Sequence, residues 1–274
     1  MISFPNCKIN LGLNIIRKRT DGYHDLETVF YPVQIKDILE IIALPESKNQ
    51  ATVQFSQSGL HIDGDANNNL CVKAYHLLKK DFPSLPAIQM HLHKVIPMGA
   101  GLGGGSADGA FALRLLNDKL NLHLSNEQLI QYALQLGSDC TFFILNKPCY
   151  ATSRGEVMEK IELDLSAYKF AIVNPGIHVS TAWAFSTIAP HQPKISIKEI
   201  IKQPINDWKN LLQNDFEAPV MKAFPAIQQI KDTLCNAGAA YVSMTGSGST
   251  VFGIFEKNIP VQLKFPENYF VEIQ

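Results

Sequence analysis

Five of the seven residues from Gly99 to Gly105 are glycine, and Ser106 follows them. Each glycine loses more backbone freedom on folding than any other residue, and a turn serving topology alone needs one or two. What such a run offers is bare backbone N–H groups that can curl around an anion with no Cβ in the way. That is the chemistry of phosphate binding. Asp139 and Lys8 are the ionisable residues with matching chemistry. Asp139 stands in Gly137-Ser138-Asp139 beside an apolar run, where a carboxylate could take a proton from a hydroxyl; an isolated G-x-D is equally a turn. Lys8 lies mid-strand between apolar neighbours. It could lower the pKa of a nearby carboxylate and neutralise a transferring phosphoryl group, or sit on a solvated face.

Two common phosphate loops fail on residue type. Gly99 and Gly104 have the spacing of G-x-x-x-x-G-K-[ST], but Gly105 stands where the lysine belongs. Gly99-x-Gly101-x-x-Gly104 fits the dinucleotide fingerprint, yet about 20 residues further on, where an acid should end a second parallel strand, the chain has Leu124.

The elements around the glycine run suit an anion cradle. Met90–Ile96 alternates as a strand that Pro97 ends, and Ser106–Leu120 reads as a helix with Ser106 and Asp108 in its first turn. Upstream, Ile2–Ile16, two runs in Leu26–Leu44 broken near Asp37, and Ala51–Ile62 read as strands. Asp63–Asn69 reads as a polar loop, and Asn69 is placed to cap a helix over Leu70–Lys80. Ser125 and Gln128 fit a capping box for a helix that Gly137 stops. Cys140–Leu145 reads as a short apolar strand. Beyond it come a strand at Phe170–Val173 and a helical stretch Lys194–Leu212 interrupted at Pro204. A helix at Ala226–Ala237 precedes a strand–turn–strand over Tyr241–Phe255. Strands and helices mix without regular βαβ alternation, which predicts α+β. A boundary near Pro148 predicts two domains, 1–150 and 151–274.

The 274 residues are 46% hydrophobic and 18% charged, with a net charge of −1. This is an ordinary globular balance, and it argues against general nucleic-acid or membrane-surface binding. Five scattered cysteines without C-x-x-C suggest neither a disulfide frame nor a zinc site. A reduced, cytoplasmic setting is expected. No run approaches the ~20 apolar residues of a membrane helix. Nothing in the sequence sets an oligomeric state.

Pro97-Met98-Gly99-Ala100-Gly101-Leu102-Gly103-Gly104-Gly105-Ser106 resembles the second motif of the GHMP kinases, the family of galactokinase, homoserine kinase and mevalonate kinase. Lys8 and Asn10 match its first motif, Gly137-x-Asp139 its catalytic segment, and Met244–Phe252 its third motif. Thr20-Asp21-Gly22-Tyr23-His24 is typical of one branch, whose acceptor is a cytidyl diphosphate of methylerythritol in the non-mevalonate isoprenoid route.

The resemblance implies a ribosomal-protein-S5-like N-terminal domain that binds ATP and a ferredoxin-like C-terminal domain for the substrate. It implies Asp139 as base with Lys8 as its partner. ATP is expected on Asn69, Lys94, the loop Pro97, Gly99, Gly101, Leu102, Gly103, Gly104, Gly105 and Ser106, and on Gly246 and Ser247. Mg²⁺ is expected to accompany the ATP, with no protein ligand assigned. The acceptor is expected on Asn10, Tyr23, His24, Asp139, Thr181 and Phe185. Tyr23 and Phe185 would sandwich the cytosine while His24 bonds its edge. Without the resemblance, Asn69 is only a helix cap, Lys94 an exposed strand lysine, Tyr23 and Phe185 core aromatics, and His24 a surface residue. Cys7, Ala107 and Cys140-Thr141 depart from the family pattern, and Cys7 and Cys140 raise an expectation of thiol sensitivity.

Overall fold

A computed structural model describes residues 1–45 and 52–274. The chain opens with β1 (Ile2–Ser3), β2 (Asn6–Lys18), β3 (His24–Lys36) and β4 (Ile38–Ala43). The break expected near Asp37 is there, because Asp37 turns its carboxylate inward instead of continuing the strand. β5 (Val53–Gly59) follows; Ala51, where the sequence places a strand start, lies outside the described residues. The polar loop after it holds one turn of 3₁₀ helix, Ala66–Asn68. Asn69 then caps α1 (Leu70–Asp81), its Oδ1 accepting from the Cys71 N–H at 2.9 Å.

β6 (Ile88–Lys94) ends two residues before the expected Ile96, because Asp37 Oδ1 takes the N–H groups of Val95 and Ile96. α2 (Gly104–Lys119) begins two residues earlier than the sequence suggests. Gly103 adopts the left-handed conformation at its N-cap, so Gly104 and Gly105 form the first turn with Ser106. α3 (Asn126–Leu136) has the complete Ser125–Gln128 capping box and stops at Gly137. Residues Cys140–Leu145 form a helix, α4, and not a strand. Five of its six residues are buried, so no polar face betrays a helical period.

Then come β7 (Cys149–Ser153), β8 (Val157–Lys160), β9 (Tyr168–Asn174) and α5 (Thr181–Ser186). The break at Pro204 separates α6 (Ile197–Ile200) from α7 (Ile205–Leu211). The chain closes with α8 (Glu217–Ala223), α9 (Pro225–Asn236), β10 (Tyr241–Met244), β11 (Val251–Glu256) and β12 (Phe270–Ile273).

Two compact units result, and they interleave along the chain. One comprises residues 1–7, 33–98 and 103–147; the other comprises 8–32, 99–102 and 148–274. In the first, a sheet of order β1-β4-β6-β5 packs with α1 to α4; its β5–β6 pair is parallel and its other pairs antiparallel. In the second, an antiparallel sheet of order β10-β11-β9-β12 carries α8 and α9. Its core joins Leu13 and Ile15 to Val173, Val220, Ile227, Ile230, Leu234 and Phe255. The β3–β7–β8 hairpins belong to this unit over Leu26–Phe30 and Cys149–Lys160. The architecture is α+β, as the irregular alternation predicts.

Candidate active site

The glycine run is divided between the units: Gly99–Leu102 belongs to the second and Gly103–Ser106 to the first. In the second unit, β2 (Asn6–Lys18) is the edge strand of the sheet β2-β3-β7-β8, yet its polar side chains at Lys8 and Asn10 are almost fully buried, 3% and 2% exposed. This rules out the solvated-face reading of Lys8. Its ammonium donates to Asn10 Oδ1 at 2.7 Å and to the Gly101 carbonyl at 3.0 Å, and stands 5.1 Å from the centre of the Phe30 ring. Its backbone N–H donates to the Leu102 carbonyl. Asn10 Nδ2 donates to Thr28 Oγ1 at 3.0 Å, and the Asn10 N–H donates to Thr245 Oγ1 at 3.0 Å. The Thr245 hydroxyl also lies 3.0 Å from the Gly101 carbonyl and 3.1 Å from Asn10 Oδ1.

The first and third motifs therefore grip the front half of the glycine run. Close approach demands the glycines. A Cβ on Gly101 would lie 2.1 Å from the Thr245 carbonyl, and one on Gly246 would lie 3.2 Å from Gly101 Cα. Both residues have positive φ, +79° and +57°. Asn214 Nδ2 holds the turn from behind through the carbonyls of Met244 and Gly246. Thr181 Oγ1 lies 3.2 Å from Ser247 Oγ, so the residue expected near substrate meets the third motif.

Also in this unit, the His24 ring stacks on Phe185, centroids 4.9 Å apart and planes 21° apart. Phe216 meets Phe185 edge-on. Burial and, secondarily, Lys18 lower the His24 pKa. Tyr23 is 57% exposed, with the Arg154 guanidinium 5.1 Å from its ring centre. The ring on Phe185 is thus His24 and not a stack completed by Tyr23. Tyr23 is no core aromatic either, since the turn at Asp21-Gly22 holds it outward.

In the first unit, the start of α2 presents backbone N–H groups with no side-chain cap. Uncapped N–H groups and the helix dipole make this a positive end suited to phosphate oxygens. A Cβ on Gly104 would lie 2.8 Å from Ile96 Cγ2 and 3.0 Å from Lys94 Nζ, so the helix can seat only as glycine there. Asp139 is half-buried at the α3–α4 junction and its carboxylate does not cap α4.

Lys94 is not an exposed strand lysine: its side chain is fully buried. Its ammonium donates to Asp37 Oδ2 at 2.5 Å and to Asp108 Oδ2 at 2.7 Å. Two carboxyl partners beneath α2 hold this side chain. Burial lowers the Lys94 pKa, but Asp108 and Asp37 more than offset it. Burial raises Asp108, against the pull of Lys94, to about 8. Asn69 spends its carbonyl oxygen on the α1 cap and lines a cavity of about 390 Å³ beside Gly105.

Sequence reasoning gave no site role to Thr28, Asp37, Thr245 or Asp108. Thr28 and Asp37 had no local signal beyond a polar residue inside an apolar pattern. Asp108 had one, an acid among Gly and Ala on the buried side of a helix. The thiol expectation fails as well. Cys7 and Cys140 are fully buried, and burial pushes the Cys140 thiol up to about 12.

The GHMP kinases N terminal domain family matches residues 69–147, and the GHMP kinases C terminal family matches residues 196–269. The chain belongs to the GHMP kinases. Among relatives of this GHMP kinase, a 4-diphosphocytidyl-2-C-methyl-D-erythritol kinase of Bacteroides fragilis is 54% identical over 255 residues, covering 93% of this chain and 92% of that one. The enzyme of the same name from Porphyromonas gingivalis is 40% identical, covering 94% and 93%. A crystal structure of 4-(cytidine 5'-diphospho)-2C-methyl-D-erythritol kinase superposes with a TM-score of 0.79 at 28% identity, covering 93% and 90%. A homoserine kinase from Cytophaga hutchinsonii, 15% identical with a TM-score of 0.68 over 98% and 94%, shares the fold.

Proposed function

We propose that this GHMP kinase transfers the γ-phosphoryl group of ATP to the 2-hydroxyl of 4-diphosphocytidyl-2-C-methyl-D-erythritol, releasing ADP and the 2-phosphate. The step belongs to the non-mevalonate route to isoprenoid precursors. The observation that carries this reading is the name shared by relatives 38% to 54% identical over more than nine-tenths of the chain. The Tyr23-His24 loop supports it from the residues themselves.

In this reading the uncapped start of α2 in the first unit and, separately, the turns at Gly101 and Gly246 in the second are each assigned to phosphate oxygens of ATP. Asp139 accepts the proton of the attacking hydroxyl, and Lys8 stabilises charge on the transferred group. Asn10 orients Lys8, with which it shares a hydrogen bond of 2.7 Å. Nucleotide handling falls to residues within 1–150, while 151–274 supplies Thr181, Phe185 and Gly246-Ser247 for the acceptor and the phosphates. A cytosine can enter by taking the face of Phe185 that His24 covers, which leaves the His24 edge free for its polar atoms.

No group of three or more His, Cys, Asp or Glu among the described residues can hold a metal ion. Mg²⁺ is read as accompanying ATP, whose phosphates it would neutralise. No helix among the described residues is long and apolar enough to cross a membrane.

The test is coupled ADP release with the cytidyl substrate against homoserine, mevalonate and galactose. The cytidyl compound should exceed the others in kcat/KM by at least about 100-fold. Asp139→Asn should bind ATP normally and lose most turnover. Comparable rates with another acceptor would refute the substrate, and near-normal turnover by Asp139→Asn would remove it as the base.

A further inference from the structure

We propose that Thr28 is a positioning residue for the Lys8 ammonium: its hydroxyl fixes which way round the Asn10 side-chain amide sits, and Asn10 in turn aims Lys8. The proposal rests on reading Lys8 as the group that stabilises the transferred phosphoryl.

Donors and acceptors along this chain of contacts allow one arrangement. Thr28 Oγ1 lies 2.5 Å from the Gly12 carbonyl. A carbonyl only accepts, so the single hydroxyl proton is spent there. Toward Asn10, 3.0 Å away, Thr28 then offers only lone pairs, and the Asn10 atom that faces it must be Nδ2. That turns Oδ1 to the other side, where the Lys8 ammonium donates to it at 2.7 Å. The far end demands the same orientation. An ammonium has donors alone, so a reversed amide would set its NH₂ against Lys8 and its oxygen against the Thr28 lone pairs. The relay runs in one direction: Lys8 donates to Asn10, Asn10 to Thr28, and Thr28 to Gly12.

Burial makes that direction matter. Thr28 is fully buried, Asn10 is 2% exposed and Lys8 is 3% exposed. At such sites a lost partner is not replaced by bulk water. β3 supplies Thr28 and β2 supplies the other three residues, all within residues 8–32 of one unit. Gly12 has φ +70°, and a Cβ on it would lie 2.5 Å from Leu212 Cδ1, so the carbonyl that ends the relay belongs to a position only glycine can fill.

No neighbour duplicates the Thr28 contact. Thr245 Oγ1 meets Asn10 at Oδ1, 3.1 Å away, and not at Nδ2. Lys8 also donates to the Gly101 carbonyl at 3.0 Å, an anchor that does not involve Thr28. Losing the Thr28 hydroxyl therefore releases the amide side of Lys8's support and keeps the glycine side. The expected result is a misaimed ammonium in a folded protein.

The experiment is coupled ADP release by the full chain, with ATP and the cytidyl acceptor each varied, alongside thermal unfolding of every variant. Thr28→Val keeps the shape and removes the hydroxyl. It should lower kcat at least about 10-fold and leave both KM values within about twofold, as for an interaction used in the transition state. Thr28→Ser keeps the hydroxyl and should restore kcat to within about threefold of the wild type. Thr28→Ala removes it again, so the serine and alanine variants carry the same contrast if the valine variant misfolds. In an Asn10→Ala protein, which has no amide to orient, Thr28→Val should change kcat less than about twofold further. A purely structural Thr28 would lower the melting temperature and act independently of Asn10. Wild-type kcat without the hydroxyl overturns the proposal. So does a serine variant as slow as the alanine one, or a full additional loss from Thr28→Val in the Asn10→Ala protein. A wild type that turns over another acceptor in place of the cytidyl compound would instead overturn the substrate reading, and the Thr28 contrasts are then read with that acceptor.

Discussion

Replacing Gly101 by alanine tests how tightly the first and third motifs hold the glycine run. Gly101 has φ +79°, and an added Cβ would lie 2.1 Å from the Thr245 carbonyl. Real Cβ contacts do not fall below 3.0 Å, so the two backbones must part by about 1 Å. A non-glycine residue in the left-handed region costs about 1–2 kcal/mol by itself. The separation also weakens the bonds that the Gly101 carbonyl accepts from Lys8 Nζ and Thr245 Oγ1, each 3.0 Å. Those two are worth roughly 1–2 kcal/mol apiece, the charged one more. The total is about 4 kcal/mol, which for a chain of this length lowers the melting temperature by roughly 8–16 °C. A 1 Å displacement of Lys8's anchor should also reduce kcat about 100-fold.

Thermal unfolding and steady-state kinetics read both effects. The control is Gly105→Ala, read by unfolding alone. Gly105 lies in the first turn of α2 without a positive φ, and its Cβ would meet only the Met98 side chain, Cε at 3.4 Å and Sδ at 4.0 Å. Alanine there should leave the melting temperature unchanged or raise it. A Gly101→Ala protein as stable and active as the wild type, or the same melting shift for both variants, would refute the reasoning.

Two further outcomes follow from buried groups. Lys94→Met should cost about 3–5 kcal/mol in denaturant unfolding, because it leaves Asp37 and Asp108 buried without their cation; adding Asp37→Asn and Asp108→Asn should recover part of the loss. A loss below about 1 kcal/mol would mean that the cluster relaxes or takes up water. A chromogenic disulfide should titrate one thiol quickly in the native protein, Cys235, and all five on unfolding. Fast native reaction of Cys140 would show that the α4 junction opens.

Much of the fold was legible because its signals are local. Ser125 with Gln128, Asn69 before Leu70, Gly137 after Leu136 and Pro204 inside a helical stretch each act within a few residues, and each does in the structure what its type predicts. α4 was not legible, since a helix buried on every side shows no period to separate it from a strand. The α2 start moved because Gly103 caps by its left-handed backbone, which no side-chain pattern reveals.

For the site, the sequence by itself determined the chemistry on offer. A glycine run without a P-loop lysine, an acid after a helix stop, and a Tyr-His turn pointed to phosphoryl transfer through the resemblance they carry. Backbone freedom and side-chain type are properties of single residues, so they can be read in order. Tertiary structure alone decided which polar groups become buried and what they meet there. It took Lys94 from a strand surface to the middle of two carboxyl groups, set His24 rather than Tyr23 on Phe185, and sealed Cys7 and Cys140 from solvent. It also brought Thr245 to Asn10 across 235 positions. Burial and long-range partners depend on how distant segments pack, and no local pattern encodes them.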